Sequence, residues 1–581
     1  MLRKLTYLIV FYLLGQPVIG QVSFSNVATD MGISLTVSNT PLGNGISFAD
    51  FNNDGWDDIS VCTGSDDIPR FFLNIDGLLF SEVNLNLGLQ NFTNKQIIWV
   101  DYDNDGDRDL FITSDSQGNR LFQNIGNLVF EDVTISSGLT VDNMDSNGAS
   151  WADVNNDGCL DLYISNHSGL TSGTPNLFYL NNCDGSFSEL TEAYGLQNDL
   201  APTFCAGFLD INNDGWLDLY VANDRFSPNF MYQNNGDGTF TDISSISGTG
   251  VVMDAMSVTV GDINNDGYWD IYVTNTPEDI STPFSGNALF LNNADSTFSN
   301  ISMNAGTMFG GFAWGSVFLD IENDGDEDLY VSSSYDGSFN GYPSNALYEN
   351  IENLEFMNSA AIGFEEDTNV SYGNAIGDFN NDGLTDIIVL NNNGEPPSLW
   401  ENKNFSPGNY IKINLEGTVS NRDAVGAKIE IQTQGQKQFR TIICGEGYMS
   451  QNSFIKQFGI GSAEQVDYIK VYWPSGLEDL ILNAEANQTV SILEGSTLSD
   501  ESFELSSPKI FPTVTRGPVF IKFDQGLFKL QVVNTLGQML KSFTNRAPSV
   551  RLDLSDLHSG AYFIRILDGL DRLYNYRIVK M

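Results

Sequence analysis

Acidic and amide side chains recur in a fixed nine-residue order at seven places in the chain. Each copy has Asp at position 1, Asn, Asp or Glu at position 3, Asp-Gly at positions 5 and 6, and Asp at position 9. The copies are residues 50–58, 101–109, 153–161, 210–218, 262–270, 320–328 and 378–386. An internal period of a little over fifty residues indicates a repeat architecture.

The chemistry these positions can do is cation binding by oxygen. Positions 1, 3, 5 and 9 present side-chain oxygens, position 7 can add a backbone carbonyl, and the glycine permits a sharp turn. Hard oxygen donors at alternating positions are the ligands that calcium prefers. We predict up to seven Ca²⁺ ions, one for each repeat. The predicted ligands are Asp50, Asn52, Asp54, Trp56, Asp58, Asp101, Asp103, Asp105, Asp107, Asp109, Asp153, Asn155, Asp157, Cys159, Asp161, Asp210, Asn212, Asp214, Trp216, Asp218, Asp262, Asn264, Asp266, Tyr268, Asp270, Asp320, Glu322, Asp324, Asp326, Asp328, Asp378, Asn380, Asp382, Leu384 and Asp386.

The motif has two other possible interpretations. An EF-hand requires a bidentate Glu at position 12 and flanking helices, but position 12 is apolar in every copy and lies in a strand-like segment. The EF-hand interpretation is therefore excluded. A turn of Asp, Asn and Gly that binds no metal is also compatible with a single copy. Seven copies in register favour the metal site.

The segments between the motifs predict strands. In the fourth repeat, strand-like pieces cover residues 203–209, 217–222, 229–233 and 239–243, with a hairpin signal at 234–238. Four strands in each of seven units predict an all-β protein with a seven-bladed β-propeller over residues 21–405. The last repeat lacks a fourth strand, and residues 22–28 resemble one. We therefore expect the N-terminal segment to complete the seventh blade and leave no open sheet edge.

Three stretches resemble known families. The motif, with later Phe/Leu-Tyr-x-Asn and Gly-x-Phe pieces, resembles the FG-GAP (VCBS-type) repeat. Residues 406–495 resemble the ASPIC/UnbV domain through 421–429, 445–451, 458–461 and 471–476, which implies a small β domain. Together these two parts resemble the cartilage acidic protein group.

The C-terminal part differs in composition. A Ser- and Glu-rich stretch predicts a linker at 496–508. Residues 509–581 resemble the C-terminal sorting domain of Bacteroidetes type IX secretion through 533–538, 557–563 and 576–580, although 510–514 depart from the usual Pro-Asn-Pro start. The resemblance implies a β-sandwich recognised by the type IX secretion machinery.

Export is also indicated at the other end. Residues 1–20 have the basic start, apolar stretch and small-residue exit of a signal peptide. We expect an extracellular or outer-membrane-surface protein, exported through the periplasm, monomeric and without a transmembrane segment in the mature chain. The formal net charge of −49 excludes nucleic-acid binding as the expected function.

Five cysteines cannot all pair. Cys159 lies in the third motif and Cys183 in the turn that follows, so we predict a disulfide between them. Cys62, Cys205 and Cys444 are expected to be buried free thiols.

The sequence contains no recognisable catalytic constellation, and we predict no catalytic residue. We expect a calcium-binding module that binds an extracellular protein or glycan. Aromatic and basic residues in the variable loops between second and third strands are the candidate partner contacts. They are Arg225, Phe226, Phe284, Tyr335, Phe339 and Tyr342. The alternative is an extracellular polysaccharide hydrolase or lyase, which would need acids and a base converging in a deep axial pocket.

Overall fold

The structure is a computed structural model of the chain. It describes residues 22–37, 40–64, 68–167, 174–198, 200–225, 227–276, 286–334, 345–352, 354–359, 363–364, 367–404, 407–497, 509–522, 528–535, 537–545, 549–568 and 573–581. The described residues form strands and only three short helices, so the predicted all-β class is confirmed. The predicted signal peptide, residues 1–20, lies outside them.

The first part of the chain forms repeated four-stranded antiparallel sheets, seven of them among the described residues. Repeated four-stranded antiparallel sheets are the architecture of a β-propeller. The strands, in chain order, are β1 (Phe24–Asn26), β2 (Ile46–Ala49), β3 (Asp58–Val61), β4 (Arg70–Ile75), β5 (Leu79–Val83), β6 (Ile97–Val100), β7 (Asp109–Ile112), β8 (Arg120–Asn124), β9 (Phe130–Asp132), β10 (Ser146–Ala152), β11 (Asp161–Asn166), β12 (Leu177–Asn181), β13 (Phe187–Glu189), β14 (Thr203–Leu209), β15 (Asp218–Asn223), β16 (Phe230–Asn234), β17 (Phe240–Asp242), β18 (Ala255–Gly261), β19 (Asp270–Asn275), β20 (Ala288–Asn292), β21 (Phe298–Asn300), β22 (Ala313–Leu319), β23 (Asp328–Ser333), β24 (Ala346–Glu352), β25 (Glu355–Asn358), β26 (Ser371–Gly377), β27 (Asp386–Asn391) and β28 (Ser398–Asn402).

Strand bounds in the fourth repeat differ from the prediction by about one residue. The first strand is as predicted, but the second begins at Asp218 because this motif carboxylate is itself the first paired residue. Three four-residue helices were not predicted. They are α1 (Thr191–Tyr194), α2 (Ser244–Ser247) and α3 (Ser302–Ala305). Each follows the fourth strand of its sheet and ends at a glycine in the left-handed conformation, which stops the helix.

The N-terminal strand completes the last sheet, as the sequence predicts. Strand β1 pairs with β28, with Phe24 opposite Asn402 and Asn26 opposite Trp400. The sheet order is β1-β28-β27-β26, so the outermost strand comes from the beginning of the chain. Phe24 is buried and packs against Phe364 with ring centroids 5.2 Å apart. The ring is thus closed by strand pairing and by an apolar anchor.

The ASPIC-like region consists of two sheets. Its strands are β29 (Asn409–Glu416), β30 (Lys428–Thr433), β31 (Gln436–Thr441), β32 (Lys456–Gly461), β33 (Tyr468–Tyr472), β34 (Glu478–Leu482) and β35 (Thr489–Leu493). They are ordered β32-β29-β35 and β31-β30-β33-β34. The region is packed further than its predicted end, because Thr497 still donates its N–H to Asp479. Thr497 therefore still belongs to this packed region, and the predicted linker is described only at residues 496 and 497, because residues 498–508 lie outside the described part of the chain.

The propeller and the ASPIC-like region form one compact unit, which ends at Leu498. Ile98 and Trp151 of the propeller share a core with Ile411 and Val471 of the ASPIC-like region. The sequence predicts two successive domains and does not indicate this shared core.

A segment of the ASPIC-like region fills the centre of the ring. We call residues 444–453 the axial plug. Its backbone hydrogen-bonds to the first strands of several sheets, pairing Cys444 O with Trp151 N and Gly447 N with Val258 O. It pairs Gln451 O with Phe48 N and Ser453 N with Ile376 O in the same way.

The tip of the axial plug is apolar. Tyr448 and Met449 have no exposed surface and cluster with Phe204, Met256 and Trp314. A propeller of this size has a channel along its axis, and here protein side chains occupy it.

The second compact unit begins at Ser499. Its strands are β36 (Lys509–Phe511), β37 (Val514–Thr515), β38 (Val519–Lys522), β39 (Phe528–Asn534), β40 (Met539–Asn545), β41 (Ser549–Leu552), β42 (Gly560–Asp568) and β43 (Leu573–Lys580). They form sheets ordered β36-β38-β41 and β37-β43-β42-β39-β40 around a core that includes Ile521, Val532 and Ile564. Two sheets around one core are the β-sandwich that the sequence predicts.

Ring closure gives the first testable prediction. Phe24→Ala should lower the free energy of unfolding by about 3–5 kcal/mol, because it removes a buried aromatic anchor. Ser25→Ala, at the exposed neighbouring position, should change it by less than about 0.5 kcal/mol. Denaturant unfolding of both variants measures the difference. Equal stabilities would show that β1 does not hold the ring closed.

Candidate metal centre

All seven motifs adopt one loop geometry between the first and second strands of their sheets. In the first loop, Asp50 accepts the N–H of Asp54 at 2.9 Å and the N–H of Gly55 at 2.7 Å. Gly55 has φ +90°, a conformation that glycine adopts at little cost. The position 1 carboxylate makes the same two bonds in the other six loops. It therefore shapes the turn.

The position 9 carboxylate ties each loop to the third strand of its sheet. Asp58 accepts the N–H of Phe51 at 3.2 Å and the N–H of Asn74 at 2.8 Å. Burial raises the pKa of Asp58 to about 8 and that of Asp109 to about 9. A buried carboxylate with other carboxylates nearby favours its neutral form unless a cation is present. These positions consequently have the electrostatics expected of cation ligands.

The second and sixth loops bring their acids closest together. Oxygens of Asp101, Asp103 and Asp109 all lie within 4.8 Å of one another, and so do those of Asp320, Glu322 and Asp328. Asp103 Oδ1 and Glu322 Oε2 are buried without a hydrogen-bond partner among the described residues. Buried oxygens left without a donor fit a hard cation such as calcium.

The side chain of Asp326 is a further candidate ligand in the sixth loop. The sequence assigns only a backbone carbonyl to position 7, yet Asp326 Oδ1 is buried and, among the described residues, lacks a partner. Burial, with the nearby charges of Asp324, Asp320 and Glu322, raises the pKa of Asp326 to about 9. Asp occurs at position 7 only in the two loops that also have an acid at position 3. This pattern in the sequence could have indicated a side-chain ligand at position 7.

The five loops with Asn at position 3 are arranged differently. The Asn52 amide donates to Asp54 at 2.8 Å, and Asn155, Asn212, Asn264 and Asn380 make the same bond in their loops. The amide partly satisfies the position 5 carboxylate and brings no charge. We therefore expect these loops to attract a divalent cation less strongly than the second and sixth loops.

At position 7 of all seven loops, the backbone N–H donates to the position 5 carboxylate. The residues are Trp56, Asp107, Cys159, Trp216, Tyr268, Asp326 and Leu384. Cys159 is disulfide-bonded to Cys183, with Cα atoms 5.7 Å apart, and this bond ties the third loop to the outer hairpin of its sheet. Cys62, Cys205 and Cys444 are buried free thiols, as expected.

Position 4 is a feature that the sequence interpretation missed. It is Asn in every loop, in the left-handed conformation, with φ between +54° and +59°. Each Asn amide donates to the position 6 carbonyl of the next loop around the ring. The bonds run Asn53 to Gly106, Asn104 to Gly158, Asn156 to Gly215, Asn213 to Gly267, Asn265 to Gly325, Asn323 to Gly383 and Asn381 to Gly55. We call this closed series of bonds the asparagine ring.

The ASPIC-like region lies on the asparagine ring. Four position 4 side-chain oxygens accept hydrogen bonds from it, at 2.6–3.0 Å. The pairs are Arg422 N with Asn104, Lys428 Nζ with Asn213, Gln457 Nε2 with Asn323, and Lys412 Nζ with Asn381. Lys412 also pairs with the position 1 carboxylate of Asp378 at 2.9 Å. Cationic side chains of one region thus meet the acidic loops of the other.

Of the six predicted partner contacts, only Arg225 lies among the described residues. Arg225 lies beside Asp224, with Nε 3.2 Å from the carboxylate, and His167 Nε2 lies 3.0 Å from the same group. These residues follow second strands and so lie on the face opposite the metal loops. Phe226, Phe284, Tyr335, Phe339 and Tyr342 lie outside the described residues.

Family comparisons agree with this architecture. Residues 101–164 and 210–273 match the FG-GAP-like repeat, residues 417–499 match the ASPIC and UnbV family, and residues 509–580 match a secretion system C-terminal sorting domain. The sorting domain indicates type IX secretion to the cell surface or extracellular space. Among the described residues, no helix is long and apolar enough to cross a membrane.

Curated relatives include cartilage acidic protein 1 of Xenopus tropicalis, 27% identical over 46% of this chain and 41% of the relative. The human protein of the same name is 24% identical over 49% of this chain and 43% of the relative. The chain therefore spans less than half the length of these relatives.

Solved structures resemble the chain only loosely. An Agrocybe aegerita lectin that recognises non-reducing terminal N-acetylglucosamine has a TM-score of 0.37 and 16% identity, over 63% of this chain and 95% of that one. The extracellular domain of BT3049 from B. thetaiotaomicron has a TM-score of 0.40 and 12% identity, over 96% of this chain and 66% of that one. These similarities carry no functional argument.

The difference between the loops predicts a ranking of calcium affinity. Asp103→Asn should weaken calcium binding by the second loop roughly tenfold, because it removes a charged ligand. Asn52→Asp should strengthen calcium binding by the first loop by a similar factor, because it adds one. Calcium titration by calorimetry measures both. Asn393→Asp, which adds charge at an exposed turn outside the loops, is the control. Unchanged binding in Asp103→Asn would show that this carboxylate is not a ligand.

Proposed function

We propose that this secreted or surface protein is a calcium-binding β-propeller that binds an extracellular protein or glycan. The observation that carries the calcium assignment is the set of buried carboxylate oxygens without donors in the second and sixth loops. Asp101, Asp103, Asp105 and Asp109 would hold one ion, with the backbone of Asp107. A bound ion offsets the repulsion between these carboxylates and stabilises only the folded loop.

The position of the ASPIC-like region supports the face opposite the metal loops as the partner-binding surface. The metal-loop face is covered by Lys412, Lys428 and their neighbours, and the axial plug occupies the centre. The opposite face carries the loops between second and third strands. Loops of this kind vary in length and composition while the strands hold them in place, which suits recognition.

The charged cavity between the propeller and the ASPIC-like region is small. Its volume is about 100 Å³, and Asp57, Glu327, Glu446, Arg440 and Lys456 line it. Small-molecule sites usually occupy roughly 300–1,000 Å³. Acids and bases do converge here, but Glu327 is paired with Arg440 at 3.2 Å. A polysaccharide chain would not fit, so this cluster is better explained as an ion-pair network that joins the two regions.

A partner screen of the full-length protein tests the proposal. Glycan arrays and pull-downs should yield a ligand that is retained in calcium and released by EDTA. The reason is that the loops between second and third strands are held in place by the propeller sheets, which calcium would stabilise. Arg225→Ala should weaken retention roughly tenfold if it contacts the partner. Lys470→Ala, on the ASPIC-like region, is the control.

Two results would contradict the proposal. Retention that is identical in calcium and EDTA would separate partner binding from the metal. Shortening of an arrayed polysaccharide during incubation would favour the hydrolase or lyase alternative.

A further inference from the structure

The asparagine ring connects the metal loops to one another by direct hydrogen bonds. Each bond joins position 4 of one loop to position 6 of the next, with donor–acceptor distances from 2.8 to 3.4 Å. The last bond, from Asn381 to Gly55, returns to the first loop and closes the series. No loop can change its conformation without altering a bond to each neighbour.

We propose that the asparagine ring makes calcium binding cooperative between neighbouring blades. The inference rests on the proposed calcium function and adds a role for seven positioning residues that are not themselves predicted ligands. In every loop, the residue that donates (position 4) and the residue that accepts (position 6) flank the predicted ligand at position 5. In the third loop, Asn156 and Gly158 lie on either side of Asp157. Calcium that orders Asp157 would thereby also fix the Asn156 amide, which donates to the fourth loop, and the Gly158 carbonyl, which accepts from the second loop.

The coupling acts in both directions around the ring. Ordering of the third loop presents the Asn156 amide to Gly215 O at 2.9 Å, which favours the ordered form of the fourth loop. Gly215 is followed by Trp216 at position 7, so the same peptide segment carries the accepted bond and the predicted carbonyl ligand. Linkage requires that calcium in the fourth loop favours the third loop by the same factor.

A purely structural role is the competing explanation. Interblade hydrogen bonds would then stabilise the propeller equally with and without calcium. The two explanations predict different calcium-binding isotherms when a bond is removed. Removal of a purely structural bond would leave the isotherm unchanged. Asn156 is a suitable test position because it is not one of the four asparagines that accept hydrogen bonds from the ASPIC-like region.

The test variant is Asn156→Gly. Glycine keeps the left-handed backbone, φ +54° at this position, without strain and removes only the amide. The matched control is Asn393→Gly, an exposed asparagine with φ +60° in the turn between β27 and β28. Native mass spectrometry at subsaturating calcium gives the number of ions on each molecule, and a competing chelator gives the binding isotherm.

Asn156→Gly should weaken binding at two sites, the third and fourth loops, roughly three- to tenfold, which is the effect of losing one hydrogen bond. Molecules carrying intermediate numbers of ions should become more abundant, while Asn393→Gly should match the wild type. Asn53→Gly, which cuts the bond to Gly106, should weaken the first and second loops in the same way.

The inference is overturned if the isotherm of Asn156→Gly coincides with that of its control while the wild type binds calcium. Equal loss of thermal stability in calcium and in EDTA, with an unchanged isotherm, would assign the bond to structure alone and also overturns it. Absence of calcium binding by the wild type is a different result, because it overturns the proposed function itself and this inference with it.

Discussion

The burial of carboxylates at the start of each second strand is the constraint on which the rest of the structure depends. Asp58 and its six counterparts are fully enclosed, and each uses both oxygens to hold backbone N–H groups of its loop and of the third strand. Such groups cannot be removed without leaving buried donors unpaired. Their ionised forms also concentrate negative charge, which protonation or a bound cation must offset. The fold and the proposed metal chemistry therefore depend on the same side chains.

The ASPIC-like region completes this arrangement and is not an appendage. Its lysines and Gln457 meet the loop asparagines, Arg440 pairs with Glu327, and the axial plug fills the ring. A net charge of −49 is thus distributed unevenly, with basic residues of one region placed against the acidic face of the other. One face of the propeller is therefore used internally, and the proposed recognition of a partner is assigned to the other face.

The features that the sequence predicts well depend on short, repeated spacing. The turn shared by the seven loops, the four-strand unit and the strand supplied by residues 22–28 all follow from residues near one another or from a gap in a regular pattern. The axial plug could not be predicted, because Tyr448 meets Phe204 and Trp314 through contacts that no local pattern encodes. The asparagine ring is an intermediate case. Position 4 is Asn in all seven copies, but only the structure shows that its amide reaches the neighbouring loop.

The central claim is that the repeated loops are calcium sites, and a crystal structure grown with excess calcium tests it most directly. Anomalous scattering locates the ions without assumptions about the protein. We predict an ion in each loop, held by the side chains at positions 1, 3, 5 and 9, with the highest occupancy at 101–109 and 320–328. Loops that keep the geometry described above but contain no anomalous peak, including those two, would contradict it.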